Sequence, residues 1–140
     1  MLSNRELTFI HSQARNRIIL CKKTKPNLKW LNLGSVLSKK LLLLEGDTKL
    51  PLKALIIINE ILEANIINDS SCGHYLAIKN LGILFEPELK TDFVQILDKY
   101  SSLNTLFVKW DGEIEDGILY FLTKEKGQKI DIKNLSHIVI

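Results

Sequence analysis

Short, mostly apolar runs bounded by polar residues limit the fold of this chain more than any other feature. Residues 18–21, 75–78 and 105–108 read IILC, YLAI and TLFV. Runs of this length without polar alternation are typical of strands buried on both faces of a sheet. Longer segments with helical spacing lie between the runs. The alternation predicts an α/β fold with a mainly parallel sheet flanked by helices.

The helices and loops between these runs follow from spacing, capping residues and proline. Helices are expected at residues 4–16, 34–44, 51–65 and 88–100. Since residues 56–58 are all isoleucine, a strand is the competing assignment inside the third helix. Residues 68–73 are expected to form a loop. The last 30 residues are richer in strand than in helix and are expected to add a β hairpin at the sheet edge.

The length, composition and charge of the chain indicate how many domains it forms and what kind of partner suits it. With 140 residues, 46% hydrophobic and 25% charged, it is expected to form a single domain over residues 1–140. This composition excludes intrinsic disorder, collagen-like chains and disulfide scaffolds. The net charge of +3 divides into +8 over residues 1–53 and −5 over residues 54–140. Such a division favours an anionic partner for one face and a cationic neighbour for the other.

The chain start and the two cysteines bear on localisation. The first residues, MLSNRE, lack the apolar core of a signal peptide, and the longest apolar runs are far too short to span a membrane. Cys21 and Cys72 are too few for a disulfide framework and are expected to be reduced thiols. We therefore expect a cytoplasmic protein that binds no metal, since no second Cys/His pair accompanies Cys72 and His74.

A basic segment after the first strand is the first candidate site. Its members are Lys22, Lys23, Lys25, Lys29 and the neighbouring Trp30. Lysines at this density can hold nucleic-acid phosphates, and an adjacent indole can stack on a base. The alternative is a solvated loop with Trp30 in the core.

Two further candidates follow later strands, because ligands of open parallel sheets bind at the carboxyl ends of the strands. Lys79 and Asn80 follow residues 75–78, although a capping amide and an exposed lysine explain them equally well. An acidic loop is the other candidate, and it consists of Asp111, Glu113, Glu115 and Asp116. Its spacing is not that of an EF-hand, so a solvated turn or a protein-docking face is favoured over a metal site. The three histidines are scattered and form no catalytic triad order.

Three stretches in the same order carry a family resemblance. Residues 83–92 read ILFEPELKTD, residues 37–42 read LSKKLL after the strand at 31–33, and residues 108–112 read VKWDG. Together they resemble the small P-loop proteins of the BREX bacteriophage-defence systems, the BrxF family, over about residues 17–133. The resemblance implies a truncated, degenerate P-loop-NTPase-like fold.

Departures from that family concern the nucleotide site itself. A P-loop needs G-x-x-x-x-G-K-[ST], whereas residues 22–27 read KKTKPN and no glycine occurs before Gly34. Where the family has the aspartate that holds Mg²⁺ at the end of a strand, this chain has Lys79. Lys79 and Asn80 therefore mark a vestigial nucleotide site.

The sequence thus predicts a pseudo-NTPase without catalytic residues or cofactor. The resemblance implies a non-catalytic adaptor of a phage-defence complex, which contacts other defence proteins or a second copy of itself. In that reading the acidic loop docks a partner. The alternative function is a small nucleic-acid-binding regulator that uses residues 22–29.

Overall fold

The computed structural model describes residues 2–140 and has helices packed on a mainly parallel sheet, as the apolar runs predicted. The helices are α1 (Asn4–Ile10), α2 (Leu33–Leu41), α3 (Leu50–Ala64) and α4 (Phe93–Leu103). Single 3₁₀ turns occur at Leu42–Leu44, Gly82–Phe85 and Pro87–Leu89. The strands are β1 (Ile18–Cys21), β2 (Trp30–Asn32), β3 (Ile67–Asp69), β4 (Gly73–Lys79), β5 (Thr105–Lys109), β6 (Ile114–Glu115), β7 (Ile118–Tyr120), β8 (Lys129–Asp131) and β9 (His137–Val139).

The main sheet has the strand order β2-β4-β5-β1-β9, and all of these neighbours are parallel. In the register, Ile18 of β1 lies opposite Leu106 of β5 and His137 of β9. Strand β3 adds an antiparallel pairing to β4. Every residue of β1 is buried, which explains why its sequence is an unbroken apolar run.

The two faces of the sheet are covered by different parts of the chain, because successive strand residues point to opposite sides. On one face, Leu20, Leu76 and Val108 belong to a cluster with apolar residues of α2, α3 and α4. On the other face, Ile19 and Phe107 pack with Ile10 of α1, and Leu28 and Trp30 lie against them. The second face is therefore covered by α1 and by the chain that joins β1 to β2.

Two helices begin or end differently from the sequence prediction. Helix α1 ends at Ile10 rather than at residue 16, and the hydroxyl of Ser12 donates to the carbonyl of Phe9 at 2.6 Å. The side chain of Asn16 is instead buried, where it donates to Asp98 at 2.9 Å and to Ser101 at 3.0 Å. Helix α4 begins at Phe93 rather than at residue 88, because the carboxylate of Asp92 accepts from the amide of Gln95 at 3.1 Å and caps the helix.

The segment predicted as a loop at residues 68–73 is partly a strand. Strand β3 forms a hairpin with the start of β4, in which Asn68 lies opposite His74. The turn is closed by Asp69, whose carboxylate accepts from the amides of Ser71 at 2.8 Å and Cys72 at 3.2 Å. The polar residues that suggested a loop therefore build the turn of the hairpin.

Antiparallel strands occur near the C-terminus, but in a sheet of their own and not at the edge of the main sheet. The order is β6-β7-β8, and Leu119 lies opposite both Ile114 and Ile130. Leu119 and Ile130 join the core of the first face, so this small sheet packs on the rest of the fold. The strand that does extend the main sheet is β9, which pairs with β1 in parallel.

Among residues 2–140, no helix has the length and apolarity needed to cross a membrane.

The contact between Gly34 and Asn80 gives a first prediction. The amide of Gly34 donates to the carbonyl of Asn80 at 2.9 Å, and a Cβ added to Gly34 would lie 2.6 Å from that oxygen. Gly34→Ala should therefore lower the free energy of unfolding by about 1–3 kcal/mol, as overpacking does in well-packed sites. Urea denaturation of the purified chain measures the change.

Gly82→Ala is the matched control, because its added Cβ would meet only the ring of Phe121 at ordinary contact distance, 3.7 Å. It should shift the unfolding midpoint little. Equal destabilisation by the two substitutions would contradict the argument from the Asn80 contact.

Candidate functional site

The carboxyl ends of β1, β2, β4 and β5 open at one edge of the main sheet, because these strands are parallel. From β1 the chain passes β5 and β4 to reach β2, the outer strand on one side. From β5 it runs in the opposite direction, past β1, to reach β9, the outer strand on the other side. Neighbouring strands with connections in opposite directions form the crevice where open α/β sheets bind ligands. Sequence-predicted residues from all three candidates border this edge.

The basic segment after β1 is held in place at three points. The ammonium group of Lys25 lies 2.9 Å from the carboxylate of Glu6 in α1. The indole of Trp30 donates to the carbonyl of Lys25 at 2.8 Å. The amide of Lys29 donates to the hydroxyl of Tyr75 at 3.1 Å. Residues 22–29 therefore form a fixed cover on the second face of the sheet.

Glu6 is the buried end of this ion pair, with a side chain only 3% exposed. It also belongs to a capping box with Ser3, whose amide donates to the Glu6 carboxylate at 3.1 Å. Burial by itself would raise the pKa of Glu6, but the hydrogen bonds from Ser3 and Lys25 outweigh it, and the pKa lies below its ordinary value of 4.5. The carboxylate is therefore charged and paired at neutral pH.

The structure separates the five residues of the basic candidate into two groups. Lys22, Lys23 and Lys29 are exposed, and none of them forms an ion pair with another residue in the range 2–140. Lys25 is committed to Glu6, while Trp30 packs against the core of the second face. The indole of Trp30 is half-buried, so its packing and its hydrogen bond to Lys25 leave only part of it exposed.

Asn80 joins the end of β4 to the start of α2. Its side-chain amide donates to the side-chain oxygen of Asn32 at 2.8 Å, and that same oxygen caps α2 by accepting from the amide of Ser35 at 3.0 Å. Asn80 has a left-handed backbone, with φ of 58°. Lys79 is the last residue of β4, is half-buried and lies opposite Asn32. This pair therefore connects two strand ends.

Three of the four carboxylates of the acidic candidate pair with nearby lysines, and because there are only two such lysines the segment stays acidic. Asp111 pairs with Lys109, and Lys124 pairs with both Glu113 and Glu115. The hydrogen bond to Glu115 raises the pKa of Lys124. Asp116 has a left-handed backbone in the β6–β7 turn, with φ of 52°. Within the described part of the chain, no three His, Cys, Asp or Glu side chains come close enough to share a metal ion.

A cavity of about 570 Å³ brings the basic and acidic candidates together, which their separation in the sequence did not suggest. Lys22 lies on its wall with Asp111, Glu113 and Lys124. Trp110 lines this cavity and a smaller one of about 240 Å³ that reaches Asn80. The indole nitrogen of Trp110 is buried and has no hydrogen-bond partner among residues 2–140. Trp110, from the WDG stretch, thus lies at this edge as well, although only 4% of it is exposed.

The two cysteines lie in the core of the second face as free thiols. Burial raises the pKa of each thiol to about 11. Both are therefore protonated near neutral pH, as expected for structural cysteines rather than nucleophiles.

An apolar patch away from this edge was missed in the sequence. We name it the leucine surface, and it consists of Leu42, Leu43, Leu52, Leu55 and Ile56. Their exposed fractions are 71%, 86%, 60%, 42% and 50%. The signal was present, since α3 is apolar around most of its circumference near its start, which a helix packed on one side does not need.

The ion pair of Glu6 gives a second prediction. The carboxylate has a lower pKa in the folded chain than its ordinary value of 4.5, so it stabilises the fold above that value, and the contribution is lost as pH falls through the lower folded pKa. Glu6→Gln keeps a capping side chain but removes the charge, and it should cost about 1–2 kcal/mol at neutral pH. Urea denaturation of both proteins should show this difference shrinking in acid.

Glu60→Gln provides the control, because Glu60 is exposed and forms no ion pair with any residue in the range 2–140. Glu60→Gln should change the free energy of unfolding by less than about 0.5 kcal/mol, both at neutral pH and in acid. A Glu6→Gln effect that is unchanged in acid would refute the assignment to the charged pair.

The carboxyl edge therefore combines a fixed basic segment, strand ends joined by Asn80, and a cavity of mixed charge beside Trp110. Comparison of the chain with protein-family models, with curated proteins and with solved structures found no match.

Proposed function

We propose that this chain is a non-catalytic, P-loop-like subunit or adaptor of a bacterial phage-defence complex, and that it acts through protein–protein contacts. The observation that carries the proposal is the connection between β1 and β2. Residues 22–29 contain no glycine and lead directly from one strand into the next. A phosphate loop would need glycine amides that curl around the phosphates, followed by a helix whose N-terminus faces them.

The way in which this connection is held supports the same proposal. Lys25 is tied to α1 through Glu6, and the Lys29 amide is tied to Tyr75. Opening the segment to wrap a triphosphate would break both contacts and uncover the apolar second face of the sheet. The segment is therefore suited to covering the sheet rather than to binding phosphate.

The end of β4 also lacks the chemistry of a magnesium site. Lys79 occupies the last position of that strand, next to Asn80, whose side chain bonds to Asn32. A lysine ammonium group at this position repels a divalent cation, where nucleotide-hydrolysing proteins place an aspartate. Two features of one edge thus support the absence of Mg-ATP chemistry.

Protein contacts are supported by the leucine surface. Monomeric proteins rarely expose several large apolar side chains side by side, and such patches mark interaction sites. Leu43 is the extreme case, since 86% of it is exposed. The defence setting rests on the BrxF resemblance at residues 37–42, 83–92 and 108–112.

Titration with Mg-ATP tests the loss of nucleotide binding. The proposal expects no saturable heat in isothermal calorimetry, because residues 22–29 form no phosphate loop and Lys79 stands where a metal-binding aspartate would be needed. Lys79→Ala, which removes the repelling charge but adds no ligand, should give the same result. Micromolar binding by either protein, or hydrolysis that depends on Lys79, would overturn the proposal.

A second candidate function, binding of nucleic acid, is favoured by the exposure of Lys22, Lys23 and Lys29. The two candidates differ in salt dependence. A nucleic-acid binder loses affinity steeply as salt rises, by a slope of about 0.9 per phosphate contact, and the Lys22/Lys23/Lys29 triple alanine variant would flatten that slope. Fluorescence anisotropy with duplex and single-stranded DNA measures it.

An adaptor should show little salt-dependent DNA affinity and should co-purify with the products of neighbouring genes. Steep salt dependence that is lost in the triple variant, without co-purifying proteins, would transfer the assignment to the nucleic-acid binder.

A further inference from the structure

The leucine surface is built from two consecutive helical segments. Leu42 and Leu43 lie in the 3₁₀ turn that continues α2, and the other three side chains lie in the first two turns of α3. The buried side of α3 is made by Ala54, Ile58, Ile61 and Leu62. Leu52, Leu55 and Ile56 are thus additional apolar residues that the fold itself does not use.

Two cavities with leucines in their walls adjoin these side chains and give the surface a concave shape. One, of about 340 Å³, is lined mainly by leucines: Leu41, Leu42, Leu44, Leu50 and Leu89. The other, of about 240 Å³, is lined by Leu52, Leu55 and Leu89 and also by polar residues: Lys90, Thr91, Asp92 and Gln95. Adjoining cavities with leucine walls accept the apolar side chains that one face of a helix presents at positions i, i+3 or i+4, and i+7.

Lysines accompany the exposed leucines. Lys39 and Lys40 precede Leu42 and Leu43 by three or four residues, which places them on the same side of the helical segment. Lys49 precedes Leu52 by three residues. Among residues 2–140, none of these three lysines forms an ion pair.

Carboxylates do not balance these charges. Residues 39–53 contain four lysines and two acidic residues, Glu45 and Asp47, and the second cavity adds one charge of each sign, Lys90 and Asp92. Asp47 is already paired with Lys53, at 2.6 Å. The surface therefore has an apolar, concave centre and a rim with an excess of positive charge.

The apolar centre and the basic rim together favour some binding partners of the leucine surface over others. A symmetric pair of identical chains would bring the same unpaired lysines face to face, which like-charge repulsion disfavours. A flat bilayer would leave the concave cavities poorly filled. We propose that the leucine surface binds an amphipathic helix of a partner protein, with leucine-like residues on its apolar face and Asp or Glu on its polar face. The inference rests on the proposed adaptor function and names the chemistry of its partner.

Synthetic helical peptides test this directly against the full-length chain. Three labelled peptides share one length: an apolar face with glutamates, the same apolar face with lysines, and the glutamate peptide with its apolar positions scrambled. Anisotropy titration should show saturable binding of the glutamate peptide that weakens with salt. The lysine and scrambled peptides should bind at least ~10-fold more weakly.

Substitutions in the chain locate the binding. Leu43→Ser should weaken binding of the glutamate peptide about 10-fold, because it removes the most exposed apolar side chain of the leucine surface. Leu103→Ser is the matched control, since Leu103 is similarly exposed, at 78%, but lies at the end of α4. The double reversal Lys39→Glu and Lys40→Glu should shift the preference toward the lysine peptide.

Several outcomes would overturn the inference. These are no saturable binding of the glutamate peptide, equal binding of all three peptides, or equal loss with Leu43→Ser and Leu103→Ser. A dimer in light scattering that Leu43→Ser dissolves would assign the surface to a second copy. Binding to anionic vesicles without peptide binding would assign it to a membrane.

The peptide result is independent of nucleotide binding. Mg-ATP binding would overturn the proposed function while leaving the peptide result in place. A failed peptide test would remove this inference but not the pseudo-NTPase assignment.

Discussion

The complete burial of β1 is the constraint on which the rest of the structure depends. Its residues are at most 1% exposed, and it pairs with β5 on one side and β9 on the other. Three helices cover one face, whereas the other face relies on α1 and on residues 22–30. This second cover needs the contact between Lys25 and Glu6, because residues 22–29 have no regular secondary structure of their own. Lys25, which the sequence offered as a phosphate contact, thus helps to hold this cover on the sheet.

Ion pairs in the folded chain compensate its acidic and basic segments to different extents. Most carboxylates of the acidic loop acquire lysine partners from their own surroundings, as Asp111 does with Lys109 and Glu115 with Lys124. The lysines at residues 39–49 and several at 22–29 acquire none among residues 2–140. Among residues 2–140, basic side chains without an ion pair outnumber acidic ones, and some of them lie beside exposed leucines. This placement is why the proposed partner helix is acidic.

Much of the fold could be predicted because its signals are local. Unbroken apolar runs predicted β1, β4 and β5, and Pro51 predicted the start of α3 to within one residue. The early end of α1 and the late start of α4 could not be predicted, since Asn16 and Asp92 act through partners. Asn16 leaves the helix to bond with Asp98 and Ser101, which lie more than 80 residues away. Asp92 caps α4 in competition with an equally acceptable start five residues earlier.

The candidate site shows the same division between local and distant interactions. The sequence by itself determined the α/β class, the absence of a glycine loop after β1 and the surplus of apolar residues at the start of α3, because each depends on residue types within a short window. Only the tertiary structure decided that Lys25 pairs with Glu6, that Asn80 bonds to Asn32 and that Lys22 shares a cavity with the acidic loop. It also decided which of the leucines stay exposed. The physical reason is that strand order, which brings distant residues to one edge, is set by long-range pairing and packing that no local pattern encodes.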